Sequence, residues 1–239
     1  MNKKIMLTGG TGLLGTELQK LRKFDCAPSR DEFNICDGFS FDFWEHYLLA
    51  DPPGYPDLLV HAAAFTAVER AEVDKQECFD VNVVGTLNLV ALGVPILYIS
   101  TSYVFDGEKG NYSEWEAVNP LGYYATTKAL AEQSVLGAGN VVLRTLFKPS
   151  PWPHHRAYTD QISNGDYVGV IAKKINQAID HFDGLPPIIH VGTETRTIFE
   201  LAQQTRKDVG QMSRKEVAAN LPCDISLDCS LWNQIIGEE

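Results

Sequence analysis

Basic residues are in short supply in this chain. Against 31 Asp and Glu it carries 20 Lys and Arg, giving a formal net charge of -11 and a pI near 5.0. That balance excludes the Lys/Arg-rich faces with which proteins meet nucleic acids or anionic membranes. Cysteine is sparse and unpatterned: Cys26, Cys36, Cys78, Cys223 and Cys229 are odd in number and lack C-x-x-C spacing, so neither a disulfide framework nor a zinc site is expected. No apolar run reaches bilayer length. The first residues pass from Lys3-Lys4 straight into a short apolar strand, without a leader-like apolar core or cleavage site. Internal repeats, low-complexity tracts and flexible linkers are also missing. A chain of 239 residues can bury a substantial core, and the expectation is a soluble cytoplasmic protein of one domain, or one domain with a small appendage.

What is present begins almost at once. Ile5-Met6-Leu7-Thr8 reads as a buried strand, Gly9-Gly10-Thr11-Gly12-Leu13-Leu14-Gly15 as a tight turn, and Leu14, Leu18 and Leu21 as the apolar stripe of a helix starting near Gly12. Strand, glycine turn and helix in that order are the context of a dinucleotide-binding fingerprint. Gly9 would take the positive φ of the turn, Gly12 would let backbone N–H groups approach a pyrophosphate, and Gly15 would let the helix sit close on the strand. The spacing Gly-x-x-Gly-x-x-Gly is one residue longer between the first two glycines than the usual signature, and an ordinary βα connection is the alternative.

A second strand is expected over Phe24–Arg30, ending at Ser29 and Arg30. An acidic residue at this position would accept bonds from ribose hydroxyls; a hydroxyl and a guanidinium stand there instead. Arg30 can hold a 2′-phosphate bidentately, which favours NADP(H) while leaving NAD(H) open; a solvated loop arginine is the competing reading. A helical patch is expected around Phe43–Ala50, stopped by Pro52-Pro53-Gly54. Asp57–His61 reads as a buried strand running into Ala62, Ala63 and Ala64, whose small side chains would let a flat cofactor lie against the backbone. A helix over Ala71–Leu92 follows, with Phe79, Val83, Leu87 and Val90 on its apolar face and Asn82 on its surface. Then comes a strand over Pro95–Ser100, ending at Thr101. Strand and helix alternate as in an α/β, doubly wound parallel sheet of Rossmann-like type, which binds ligands at the carboxyl ends of its strands.

A helix opens around Tyr123, so Tyr124 and Lys128, four residues apart, share one face. An ammonium beside a phenol favours the phenolate, so the tyrosine pKa is expected below its reference of about 10.

At these residues the chain resembles the extended short-chain dehydrogenase/reductase superfamily, and within it the dTDP-4-dehydrorhamnose reductase family. The resemblance is carried by Thr8–Gly15, His61–Glu69, Val81–Thr86, Ser100–Gly107 and Tyr124–Lys128, in the family's order over most of residues 1–147. It implies reduction of a sugar keto group by NAD(P)H, with Tyr124 donating the proton. Lys128 would bind the nicotinamide ribose, and Thr101 would hydrogen-bond the reacting oxygen. Gly9, Thr11, Gly12, Leu13, Leu14 and Gly15 would hold the pyrophosphate, Ser29 and Arg30 the adenosine ribose, and Ala62, Ala63 and Ala64 the length of the cofactor. Asn34 and Ile35 stand where the family has an acidic and an aliphatic residue at the adenine. Ser102 and Tyr103, which follow Thr101, are candidate substrate residues.

Two parts are expected: a dinucleotide-binding domain over residues 1–147, and a reduced substrate-binding part over 148–239 interleaved with the sheet. A strand is read over Val141–Thr145, a helix from Asp166 to about Phe182, a strand over Ile188–Gly192 and a helix over Thr197–Thr205. The chain is shorter than the family by some tens of residues, and Leu146–Arg156 replaces a longer segment. Trp152 and Arg156, near His154 and His155, would line a reshaped pocket by stacking and diphosphate binding, or else form a proline-stiffened surface loop. Adjacent histidines rarely chelate together, so no metal is assigned. Leu221–Ser230 is similar to the family's closing segment, from which a complete reduced domain is expected. The partner would be a nucleotide sugar, with a homodimer left open. An epimerase or dehydratase of the same superfamily, or a non-catalytic NADP-binding regulatory subunit, are the other readings.

Overall fold

The structure, a computed structural model, describes residues 3–37 and 55–237. The helical patch expected at Phe43–Ala50, with its Pro52-Pro53-Gly54 stop, lies outside the described residues.

Five parallel strands form the central sheet: β1 (Ile5–Thr8), β2 (Leu58–His61), β3 (Ile96–Thr101), β4 (Val141–Thr145) and β9 (Ile188–His190), in the order β1-β2-β3-β4-β9. The apolar runs account for the burial of these strands. Alternate residues of each strand point to opposite faces, and both faces are covered. Leu7, Leu58, Val60, Leu97, Ile99, Leu143 and Ile189 face α1 (Leu13–Leu21) and α6 (Val168–Asp180). Met6, Leu59, Ile96, Tyr98 and Val142 face α4 (Gly85–Val90) and α5 (Tyr123–Gly137). The α/β, doubly wound expectation therefore holds.

Two elements differ from expectation. Residues 24–30 meet β1 through a single parallel bridge, Met6 to Cys26, rather than a strand; Pro28 has no N–H with which to extend the pairing. The helix expected over Ala71–Leu92 is a series: α2 (Val68–Ala71), α3 (Lys75–Phe79), a π-helical turn over Asp80–Val84, and α4. The wide turn rotates the face that follows it. Leu87, assigned to the apolar face, is 46% exposed, whereas Asn82, assigned to the surface, is 1% exposed.

After β4 the chain forms short pairs: β5 (Phe147–Lys148) with β8 (Asp166–Tyr167), β6 (Arg156–Tyr158) with β11 (Gly210–Met212), and β7 (Ile162–Ser163) with β10 (Arg196–Thr197). α7 (Ile198–Thr205) and α8 (Ser230–Ile236) complete this half. It returns to the sheet twice, through α6, packed on α1, and through β9. No described helix is long and apolar enough to cross a membrane.

Candidate active site

The carboxyl ends of β1 and β2 open into a cleft of about 670 Å³. Gly9 adopts φ 74°, and a Cβ there would come within 2.7 Å of the Ala63 nitrogen. A Cβ on Gly15 would overlap the Gly9 carbonyl oxygen and lie 2.7 Å from the Gly10 Cα, so α1 can sit this close to the strand only with glycine there. No side chain caps the N-terminus of α1 at Gly12, which leaves its first N–H groups to whatever fills the cleft.

Of the residues expected to hold a dinucleotide, Gly9, Thr11, Gly12, Leu13, Leu14, Gly15, Arg30, Asn34, Ile35, Ala62, Ala63 and Ala64 all line this cleft. Ser29 is not among them. Its hydroxyl and its N–H both donate to Glu32 at 2.8 Å, a local turn that occupies the group expected at the ribose. The Asn34 carboxamide oxygen accepts the Cys36 N–H at 3.2 Å, and Ile35 is buried against Gly85.

Beneath the cleft, β1 and β2 are joined by a buried relay. Thr8 Oγ1 lies 2.8 Å from His61 Nδ1, His61 Nε2 lies 3.0 Å from Thr86 Oγ1, and the Thr86 hydroxyl donates to the Asn82 carbonyl at 2.7 Å. Since the Thr86 proton is already given, His61 must donate from Nε2 and accept the Thr8 proton at Nδ1, which is the neutral imidazole. Burial, with the Lys128 charge second, pushes the His61 pKa down to about 3. Asn82 extends the same support, accepting from Phe65 N at 2.8 Å and donating to Thr127 Oγ1 at 3.0 Å, so it ties the loop after β2 to α5.

A smaller cavity of about 140 Å³ adjoins the cleft and shares part of its wall. Thr101, Tyr103, Tyr124 and Lys128 line it together. β3 brings Thr101 to its end, and α5 presents Tyr124 and Lys128 one turn apart. Thr101 accepts the Tyr103 N–H at 3.2 Å. The Lys128 ammonium donates to the Ile99 carbonyl at 2.8 Å and lies 4.0 Å from the centre of the Tyr98 ring. Behind it, Glu132 pairs with Arg144 at 2.7 Å and accepts the Ser100 hydroxyl, a buried cluster that anchors α5 to β3 and β4.

The electrostatics reverse one expectation. Burial pushes the Tyr124 pKa up to about 12, with the Thr101 hydrogen bond pulling weakly the other way. Burial also pushes Lys128 down to about 7. The Lys128 ammonium directs its bond to the Ile99 carbonyl rather than to the phenol, so desolvation of the phenolate dominates. Tyr124 is therefore a phenol that keeps its proton at neutral pH.

Three expected substrate residues lie outside both cavities. Ser102 is 1% exposed, and its hydroxyl has no partner among the described residues. Trp152 is 6% exposed; it packs with Ala157, Ile198, Ala202 and Val209 while its indole N–H donates to the Arg156 carbonyl at 3.3 Å. Burying the indole in a second small core is more favourable than leaving it to line a pocket. Arg156 points to solvent and pairs with Glu216 at 2.8 Å. Lys148, which lines both cavities, was not singled out from the sequence. A lone lysine between Phe147 and Pro149 carries no spacing signal, and only the β5–β8 pairing brings it to the site.

Residues 3–148 match the family model described as RmlD substrate binding domain. The chain belongs to this family. Among curated relatives, it is 29% identical over 195 residues to a dTDP-4-dehydrorhamnose reductase of Aggregatibacter actinomycetemcomitans, covering 72% of this chain and 61% of that protein. It is 31% identical over 160 residues to methionine adenosyltransferase 2 subunit beta of Bos taurus, covering 60% of this chain and 46% of that one. The chain thus spans less than two thirds of the length of either relative. Among solved structures, one described as a hypothetical dTDP-4-dehydrorhamnose reductase from Sulfolobus tokodaii superposes with a TM-score of 0.79 at 26% identity, covering 97% of this chain and 94% of that one. A Bacillus anthracis dTDP-4-dehydrorhamnose reductase in complex with NADP gives 0.79 at 22% identity over 99% and 92%, a likeness of fold alone. The match of this RmlD-family chain to its model ends at Lys148, where the short strand pairs begin.

Proposed function

We propose that this chain is an NADPH-dependent reductase of a nucleotide-linked 4-keto sugar, with NADH as the weaker cofactor. The observation that carries the reading is the junction of the two cavities: a glycine-walled cleft of dinucleotide size opens directly onto Thr101, Tyr124 and Lys128. The cleft fits the cofactor because glycine at positions 9 and 15 lets the turn, the end of β2 and α1 pack too closely for any Cβ, and because the N-terminus of α1 that this turn presents is uncapped. When bound there, NADPH supplies the hydride. Arg30, exposed on the cleft wall, would take the 2′-phosphate. Lys128 would hold the nicotinamide ribose. Tyr124, a protonated phenol, would give its proton to the keto oxygen as charge develops on it, and Thr101 would orient that oxygen.

The test is loss of reduced-nicotinamide absorbance when the purified protein meets NADPH and a dTDP-4-keto-6-deoxy sugar. Tyr124→Phe is expected to lower kcat by about 10²–10⁴-fold while leaving NADPH affinity unchanged. No turnover by the wild type would overturn the reading. A second reading, a non-catalytic NADP-binding regulatory subunit, is favoured by the similarity to methionine adenosyltransferase 2 subunit beta; it predicts dinucleotide binding without turnover. Tightly retained NAD in the purified protein would instead point to an internal hydride cycle of the epimerase or dehydratase kind.

A further inference from the structure

Lys148 is the only charged side chain, among the described residues, that lines both the cleft and the catalytic cavity. Its backbone is fixed by β5, paired with β8. Its ammonium makes no hydrogen bond or ion pair with any described residue. Lys128 in the same cavity, by contrast, is satisfied by the Ile99 carbonyl. Lys148 is half-buried, so its ammonium is partly withdrawn from water with no partner to compensate, which is unfavourable. Burial here pushes its pKa down to about 8, so it still carries its charge at neutral pH. Glu77 lines the cleft but makes its ion pair with Arg70, and so leaves Lys148 uncompensated. Leu14, in the first turn of α1, lines both cavities with Lys148, so the uncapped helix terminus and the free ammonium border the same space.

We propose that Lys148 is an anion anchor at the junction of the two cavities, pairing with a diphosphate oxygen of a ligand bound there. The diphosphate belongs either to the dinucleotide or to the sugar nucleotide. The inference rests on the dinucleotide reading above and adds to it a residue that acts on binding rather than on proton transfer.

The experiment is separate titration of wild type, Lys148→Met and Lys148→Arg with NADPH and with dTDP, at low and high salt, on samples whose folding is checked by thermal melting. Lys148→Met is expected to weaken one of the two ligands by about tenfold or more and to flatten its salt dependence, with Arg restoring most of the affinity. Weakened NADPH binding assigns the anchor to the cofactor, and weakened dTDP binding assigns it to the substrate. Wild-type affinity for both ligands in Lys148→Met overturns the proposal and leaves the reductase reading standing. A wild type that binds neither ligand overturns both. If Lys148→Met fails to fold, amine labelling of the wild type followed by mass spectrometry decides: ligand protection of Lys148 supports the anchor, and unchanged labelling with either ligand overturns it.

Discussion

Thr101, Tyr124 and Lys128 are about as buried as Trp152, yet they line a cavity, whereas the Trp152 indole packs among other side chains. The difference lies in what is underneath. At the ends of β1 to β4, the sheet's own residues already fill both faces, so side chains at the strand ends are free to face a ligand. Beyond Lys148 the strands are two or three residues long, and there is no such floor. In that half the large aromatic becomes the floor, and the nearby arginine is left outside it. An aromatic in a segment without its own core goes to stability first.

The sharpest way to break this contrast is Trp152→Ala. If the indole is core, the substitution costs about 3–5 kcal/mol of unfolding free energy by chemical denaturation, and under the proposed function KM for a nucleotide sugar stays unchanged in the folded variant. A raised KM at unchanged stability would put Trp152 back into the pocket. On the other side of the contrast, Gly15→Ala adds one methyl group where the Gly9 carbonyl already stands. Dinucleotide affinity is expected to fall at least about tenfold, measured by fluorescence titration, because the turn must shift to admit the methyl and the uncapped N–H groups move with it.

The contrast also explains what could be read along the chain. The glycine turn, the apolar strands and the Tyr124–Lys128 pair are local patterns whose geometry is set within one or two turns, and the structure assembles them as their spacing implies. Asn82 was misplaced because a π-helical turn, which has no periodic signature, rotates the face that carries it. Tyr124 was given the wrong direction of pKa shift because spacing reveals its distance to Lys128 but not its desolvation, which depends on the whole fold. Beyond near neighbours such as Ala157, Trp152, Arg156 and Lys148 are decided by contacts with residues 19 or more positions away, in β8, α7, Val209 and the loop after β11. Nothing near them in sequence records those contacts.

A pH-dependent effect tests the buried floor itself. His61 and His190 are both held neutral by burial, with pKa values pushed from 6.5 down to about 3. Their folded-state values lie below the unfolded one, so the unfolded chain binds the extra protons. Their contribution is complete above about pH 6.5 and is lost as pH falls from there toward 3. Unfolding free energy measured across that window should decline, and His61→Gln, though less stable at neutral pH, should show the shallower decline. An equal slope in wild type and variant would mean that His61 is already charged in the fold.

The smallest expected effect completes the comparison from the exposed side. Arg156 and Glu216 form their ion pair with side chains 51% and 45% exposed, where water and salt screen the attraction and two flexible side chains must be held still to make it. Arg156→Ala should therefore leave the melting temperature within experimental scatter at physiological salt. Because the guanidinium borders neither cavity, KM for the nucleotide sugar should be unchanged as well. A KM that rose while NADPH affinity and the melting temperature held would show that the β6–β11 edge swings toward the substrate on binding. Diphosphate recognition would then be shared between Arg156 and Lys148, and the later half of the chain would be a working wall of the site as well as its own small core.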